Sequence, residues 1–308
     1  MLLSSTKISP LLAVKGHFET ILPYLFRKTI LPISQPFEIP LPDGDFIDAE
    51  YWKSDSNTSN MAILTHGLEG NSKASYIRIL AKLLLEKGIS VLAWNFRGCS
   101  GRMNRNLRLY HSGAFEDLAS VAEWVHLTFN PNEIQLFGFS LGGNMSLVAG
   151  ARLGREWFLK NRVVKITAIS PPMDLAASAL KLEKVWNKPY AVNFLLELKA
   201  KIRHKEVQFP SKIDLSKIPL SSSIIRFDDY FTAPLHGFKD AADYYKKCSS
   251  RFMLEEIPIP TKIILAKNDP MLARGFLNTL DLDNQSIGFR ISDSGGHCGF
   301  WGNESVWL

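Results

Sequence analysis

Cysteine is scarce in this chain: Cys99, Cys248 and Cys298 are the three in 308 residues. The number is odd and the spacing matches neither a disulfide framework nor a zinc site, so a reducing compartment is expected and no metal is proposed. A clustered basic surface is lacking too. The formal charge is +6 and the pI about 9.1, yet no dense run of Lys and Arg occurs, which argues against nucleic acid as a partner. The loose basic enrichment from Lys181 to Lys217 is interleaved with Glu183, Glu197, Glu206 and Asp214. It reads as a solvated helical face, with contact to an anionic membrane surface or substrate as the sharper alternative. No apolar run is long enough to span a bilayer. Met1 to Lys7 lacks a basic stretch leading into a sustained apolar one, so no signal peptide is expected. A cytoplasmic protein, at most peripheral to a membrane, follows as the expectation.

What is present is an alternation of short apolar segments and helical segments. The chain to about Pro42 is punctuated by proline and reads as irregular. Pro42-Asp43-Gly44-Asp45 reads as a turn, and Phe46 to Trp52 as an early antiparallel strand. Strands are then expected at 61–65, 89–94, 133–139 and 163–169, with helices at 76–87, 114–127 and 141–153 between them. In the second helix Leu118, Val121, Ala122 and Val125 share one face. Such alternation implies an α/β fold, a mostly parallel doubly wound sheet covered by helices on both faces. From about 175 to 256 the alternation stops and the chain becomes helical, irregular and rich in Lys, Phe and Tyr. It resumes with a strand at 261–266, a helix, and a strand at 286–291. The interruption is expected to be a lid or cap, inserted over the carboxyl edge of the sheet in one domain spanning 1–308.

The chemistry-bearing signal is Gly138-Phe139-Ser140-Leu141-Gly142, lying between an expected strand and an expected helix. Gly-x-Ser-x-Gly in that context forms a nucleophile elbow, a sharp turn that holds the serine in a strained conformation. Glycine is needed two residues either side because a side chain would strike the neighbouring strand and helix. Ser140 is thus the expected nucleophile. With this elbow the base follows the acid in the chain order Ser, acid, His. His297, in Gly295-Gly296-His297-Cys298-Gly299, is the expected base, its glycines allowing the loop to carry an imidazole over the elbow. Asp269, just past a strand end in Asn268-Asp269-Pro270, is the expected orienting acid. Asp174 and Asp293 are its rivals, the latter closing a turn four residues before His297. The oxyanion donors are expected to be the backbone N–H groups of Leu141, at the helix start, and of Leu68, in His66-Gly67-Leu68-Glu69-Gly70 after the 61–65 strand. His66 is a candidate to line the substrate site, although a histidine that holds the loop is the commoner case. Cys298 lacks an elbow and reads as a small gap-filling residue. No metal cluster or phosphate-binding loop occurs, since Gly138 to Gly143 lacks the Lys-Ser/Thr ending of a P-loop, so no cofactor is expected.

These motifs resemble those of the YheT-like α/β hydrolases, a family related to ABHD-type esterases and lipases. The matching stretches run from Gly16-His17-Phe18-Glu19-Thr20-Ile21 through Asp43-Gly44-Asp45-Phe46, His66 to Gly70 and Trp94 to Ser100. They continue through Tyr110-His111-Ser112-Gly113, Gly138 to Asn144, Phe227-Asp228-Asp229 with Thr232-Ala233-Pro234, Asp240 to Tyr245, Asn268-Asp269-Pro270 and Gly295-Gly296-His297. The resemblance implies an esterase-like acyl hydrolase with Ser140, Asp269 and His297 at the motif positions, acting on short-chain or glycerolipid-type esters. It places Tyr110 and His111 at the substrate site, and has Arg97 shape the pocket floor and brace the elbow. Thioester hydrolysis, acyl transfer, or a non-catalytic relative that binds a lipid or metabolite use the same fold. Relatives usually continue past the histidine loop into a further helix. Here the sequence stops at Trp307-Leu308, and residues after His297 are expected to be held less firmly.

Overall fold

The computed structural model describes residues 9–56, 58–273, 275 and 283–308. Among these, eight strands form one sheet: β1 (Gln35–Pro40), β2 (Phe46–Trp52), β3 (Met61–Thr65), β4 (Ser90–Trp94), β5 (Ile134–Phe139), β6 (Val163–Ile169), β7 (Thr261–Ala266) and β8 (Ile287–Ser292). Their order is β1-β2-β4-β3-β5-β6-β7-β8. β1 and β2 pair antiparallel, as do β2 and β4, and every pairing from β4 to β8 is parallel. The chain lays β4 on one side of β3 and β5 on the other, so strand order reverses beside β3. A crevice opens at the carboxyl ends of the strands at such a reversal. The loop after β3 and the turn after β5 both meet there.

The buried strands have no polar face, so both faces need cover. Alternate residues Ile63, Leu92, Leu136, Ile166 and Ile263 enter one core with Leu118, Val121, Ala122 and Val125 of α3 (Phe115–Phe129). Ala62, Leu64, Val91, Phe137 and Ile264 enter the other, with Ile77, Leu80, Ala81 and Leu84 of α2 (Ser75–Glu86). α4 (Leu141–Arg152) follows β5 directly and packs on the α3 side, with α5 (Gly154–Lys160) seating Phe158 beside it. The expected strands and helices of this stretch are thus present within a residue or two.

Three expectations need correction or placement. Among the described residues before Pro42, two regular elements stand where an irregular segment was expected: α1 spans Pro10–Phe26, and β1 follows at Gln35–Pro40. Ser9 caps α1 by accepting from the Leu12 amide at 3.2 Å, and Pro10 sits at the first helical position, where it lacks no needed donor. The helix expected after β7 falls largely outside the described residues. The residues past His297 are well held: Phe300, Val306 and Trp307 are buried in the α2-side core, Trp307 edge-on to Phe139.

Between β6 and β7 run α6 (Leu175–Leu182), α7 (Lys188–Gln208), short helical turns across 224–235 and a helix at Ala241–Cys248. They share an apolar core of their own, including Leu195, Ile202, Phe227, Phe231 and Tyr244. A small core of this kind gives the segment apolar packing of its own.

Candidate active site

Ser140 sits at φ +51°, ψ −121°, between β5 and α4. A non-glycine residue at that positive φ is strained, and such strain persists only where the surroundings impose it. They do so here through close packing. A β-carbon on Gly138 would lie 2.3 Å from the Gly142 carbonyl oxygen, and one on Gly142 would lie 2.3 Å from the His66 carbonyl oxygen. Glycine at both positions therefore lets strand, turn and helix approach backbone to backbone.

His297 lies over this turn. Its Nε2 is 2.8 Å from Ser140 Oγ, and its Nδ1 is 2.8 Å from Asp269 Oδ2. Asp269 is buried, and its second oxygen accepts from the Met271 and Leu272 amides at 2.8 and 3.1 Å. Those two bonds fix the carboxylate plane and leave Oδ2 for the imidazole. Burial disfavours charge on His297, but the neighbouring Asp269 carboxylate together with Cys298 outweighs it and holds the pKa well above the ordinary value. The rival acids are engaged elsewhere. Asp174 caps α6 through the Ala177 amide and pairs with Arg251, and Asp293 is exposed and pairs with Lys267.

Leu141 follows Ser140 directly, and the residue before Leu68 packs against Ser140: a β-carbon on Gly67 would lie 3.1 Å from Ser140 Cβ. Leu141 opens α4, so its N–H has no intrahelical acceptor. Around Leu68 the neighbouring amides are occupied: Gly67 donates to the Tyr76 hydroxyl and Glu69 to the Tyr110 hydroxyl, each at 3.0 Å. Two tyrosines thus clamp the loop on either side of the Leu68 N–H.

Ser140 and His297 open into a pocket walled by the insertion, with Leu175, Ala179, Leu182, Phe194, Leu198 and Ile224 among its lining. His111 also lines it. Its Nδ1 accepts from the Gly113 amide at 3.2 Å, which places the ring proton on Nε2, and burial holds its pKa well below the ordinary value. Asp228 reaches the pocket from a π-helical turn. Burial pushes its pKa up to about 6, against the hydroxyls of Thr232 and Tyr245 that donate to it.

Two expected roles are corrected. His66 does not line the pocket: it is fully buried, its Nδ1–H donates to the Gly67 carbonyl at 2.7 Å and its Nε2 accepts from the Phe96 amide at 3.0 Å. Burial lowers its pKa to about 3, so it is a neutral strut beneath the loop. Arg97 lies away from the pocket and elbow, bidentate to Asp117 and bonded to Asp43 and Asp45. It ties the turn before β2 to the start of α3. Asn144 is the side chain that braces the elbow helix, its Nδ2 donating to Ser112 Oγ and to the Cys248 carbonyl, each at 2.8 Å.

A family model described as alpha/beta hydrolase fold matches residues 63–304. The chain belongs to the α/β-hydrolase family. The hydrolase is 33% identical over 300 residues to YheT of Escherichia coli (strain K12), named as a candidate esterase, covering 95% of this chain and 87% of that one. It is 26% identical to a phospholipase, ABHD3, of Mus musculus, over 92% of this chain and 68% of the relative. Among solved structures, the Pyrococcus furiosus esterase Pf2001 superposes with a TM-score of 0.58 at 15% identity, covering 89% of each chain, which speaks to the fold alone.

Reading the sequence of this hydrolase missed the part played by α1. The His297 amide donates to Thr20 Oγ1 at 2.8 Å, and Glu19 Oε2 accepts from the Gly295 amide and from Asn268 Nδ2 at 2.8 and 2.7 Å. A β-carbon on Gly16 would lie 1.9 Å from the Asn268 carbonyl oxygen. α1 therefore packs backbone to backbone against the loops that carry Asp269 and His297. Ser9-Pro10, a helix-start pattern, was the available signal.

Proposed function

We propose that this hydrolase cleaves carboxylic esters through a serine acyl-enzyme. Ser140 Oγ attacks the ester carbonyl carbon while His297 Nε2 takes the hydroxyl proton. The same proton is then delivered to the departing alcohol oxygen. Water, deprotonated by His297, releases the acid and returns Ser140 to its starting state. Asp269 fixes the imidazole tautomer and stabilises the imidazolium. The Leu68 and Leu141 amides receive the oxyanion, each contributing about 3 kcal/mol to the transition state. The observation that carries this reading is the continuous relay Asp269–His297–Ser140, with both links at 2.8 Å, facing an apolar pocket.

The relatives support an ester with an apolar part. They are named phospholipase and, in Danio rerio, monoacylglycerol lipase, and the aliphatic and aromatic side chains of the insertion suit an acyl or alkyl chain. In this reading the insertion acts as a cap over the carboxyl edge of one domain. Tyr110 and His111 stand at the pocket wall, His111 offering its Nε2–H to a substrate oxygen. A peripheral membrane role fits α1, whose Leu11, Val14, Phe18, Ile21 and Leu25 are exposed at spacings of three and four residues. No helix among the described residues is long and apolar enough to cross a membrane.

The test is a panel of p-nitrophenyl esters of increasing acyl length, with acyl-CoA species and peptide amides alongside. The reading expects ester turnover with a preference that depends on chain length. Turnover of acyl-CoA without turnover of oxygen esters would replace it with thioester chemistry, and ligand binding without any turnover would replace it with a binding role. Sedimentation with anionic vesicles, weakened in Phe18→Glu, tests the membrane contact.

A further inference from the structure

Lys184, Lys188, Arg203 and Lys212 are exposed, as their interleaving with acids suggests, whereas Lys201 and Lys205 turn inward. α7 carries Tyr190, Phe194, Leu198, Lys201 and Lys205 at spacings of three and four, so all five project from one face of the helix. The Tyr190 hydroxyl meets His17 Nδ1 of α1 at 3.0 Å, and Phe194 and Leu198 wall the pocket. Lys205 Nζ, fully buried, donates to the Asn104 and Asn106 carbonyls at 2.7 and 2.5 Å. Lys201 reaches the loop that carries the Leu68 amide.

Glu69, next to Leu68, is unusual in two ways. Its φ is +52°, a region where a β-carbon is disfavoured, and its side chain is 4% exposed. A buried carboxylate on a strained backbone persists only if its charge is compensated and its oxygens are bonded. Lys201 Nζ lies 2.5 Å from Glu69 Oε2 and 3.0 Å from Cys99 Sγ. The Tyr110 hydroxyl donates to Glu69 Oε1 at 2.5 Å and accepts from the Glu69 amide at 3.0 Å. The Lys201 ammonium also stands 5.4 Å from the centre of the Tyr110 ring. The Glu69 carboxylate, one residue past Leu68, is thus paired with a cation supplied by α7.

We propose that Lys201 is a positioning residue for the ester hydrolysis assigned above: through Glu69 and Tyr110 it aims the Leu68 amide, so that the oxyanion hole is complete only while α7 lies across the sheet edge. The pocket wall and the oxyanion loop are then governed by one helix. A substrate chain seated against Phe194 and Leu198 engages the same element that orients the Leu68 donor. If α7 lifts, Glu69 loses its cation, and the strained turn at φ +52° relaxes away from Ser140.

The inference rests on the ester-hydrolase reading for its kinetic arm and on geometry alone for its structural arm. Lys201→Met, Lys201→Arg and the double variant Glu69→Gln/Lys201→Met would be compared with the unmodified protein on p-nitrophenyl acetate. Active sites would be counted by fluorophosphonate titration, and hydrogen exchange of the 66–70 segment followed in parallel. In Lys201→Met, kcat per titrated site should fall roughly 10- to 100-fold with KM within about threefold, as when an oxyanion donor is misplaced. Lys201→Arg should recover most of that loss. The double variant, free of an uncompensated buried charge, should regain thermal stability without regaining kcat. The Glu69 amide should exchange faster in Lys201→Met. A role confined to stability would lower Tm and the number of titratable sites while leaving kcat per site and exchange unchanged, and that result would overturn the proposal. Should the unmodified protein turn over no ester, the hydrolase reading fails by itself, and unchanged exchange in the 66–70 segment would still refute the positioning role.

Discussion

The His297 amide donates to the hydroxyl of Thr20, 277 residues earlier in the chain, at 2.8 Å. The same hydroxyl donates to the Gly16 carbonyl at 2.7 Å, so a single side chain joins the middle of α1 to the imidazole loop. Thr20→Val keeps the shape and removes the acceptor, leaving a buried N–H without a partner at a cost of about 1–3 kcal/mol. We expect kcat to fall roughly tenfold, Tm to fall by several degrees, and Thr20→Ser to restore both. Steady-state kinetics and thermal unfolding measure this, and an unchanged kcat in Thr20→Val would show that the loop holds itself.

Tyr110 offers a choice between two roles. Its hydroxyl holds the Glu69 amide and carboxylate, whereas the family resemblance places it at the substrate. If the clamp is its main task, Tyr110→Phe should lower kcat by about tenfold and leave KM for small esters nearly unchanged. A raised KM at constant kcat would mean that the hydroxyl contacts substrate instead.

The strand–elbow–helix at Ser140 was legible because glycine spacing, apolar strands and helical periodicity all report local packing. The meeting of Ser140, His297 and Asp269 could be anticipated because residue order constrains which acid and histidine can follow the elbow. α1 was not, because Gly16 and Pro23 break up its pattern and its exposed apolar stripe reads like an irregular apolar segment. Its role depends on a close approach to Asn268 that nothing local encodes. Lys201 and Lys205 were misread for a similar reason. A lysine that turns inward to a carboxylate or to carbonyls from distant loops has the same sequence signature as one in water. His66 was half-legible, since the expectation of a loop-holding histidine matched its two backbone bonds while the substrate-lining alternative did not.

The pH dependence follows from the sign of the His297 shift. Burial opposes charge on the ring, and Asp269, joined by Cys298, more than offsets it, so the folded pKa stands well above the ordinary value of an imidazole. A base must be neutral, so kcat/KM should rise with pH along an acid limb above that value. Asp269→Asn removes the offsetting charge and leaves the burial, so the limb should move to lower pH while kcat falls by about 10⁴-fold. Linkage gives the accompanying stability effect. A raised folded pKa stabilises fully below the unfolded pKa and is lost as pH rises through the folded one. The stability difference between the unmodified protein and Asp269→Asn should therefore shrink at alkaline pH. An acid limb left in place by Asp269→Asn would assign the ionisation to another group.

The most direct test of the account is fluorophosphonate labelling with the modified peptide mapped by mass spectrometry, combined with ester turnover by Ser140→Ala. Label is expected on Ser140 and none on Ser140→Ala, whose turnover should be reduced by about 10⁴- to 10⁶-fold. Ester turnover by Ser140→Ala at the unmodified rate would contradict it.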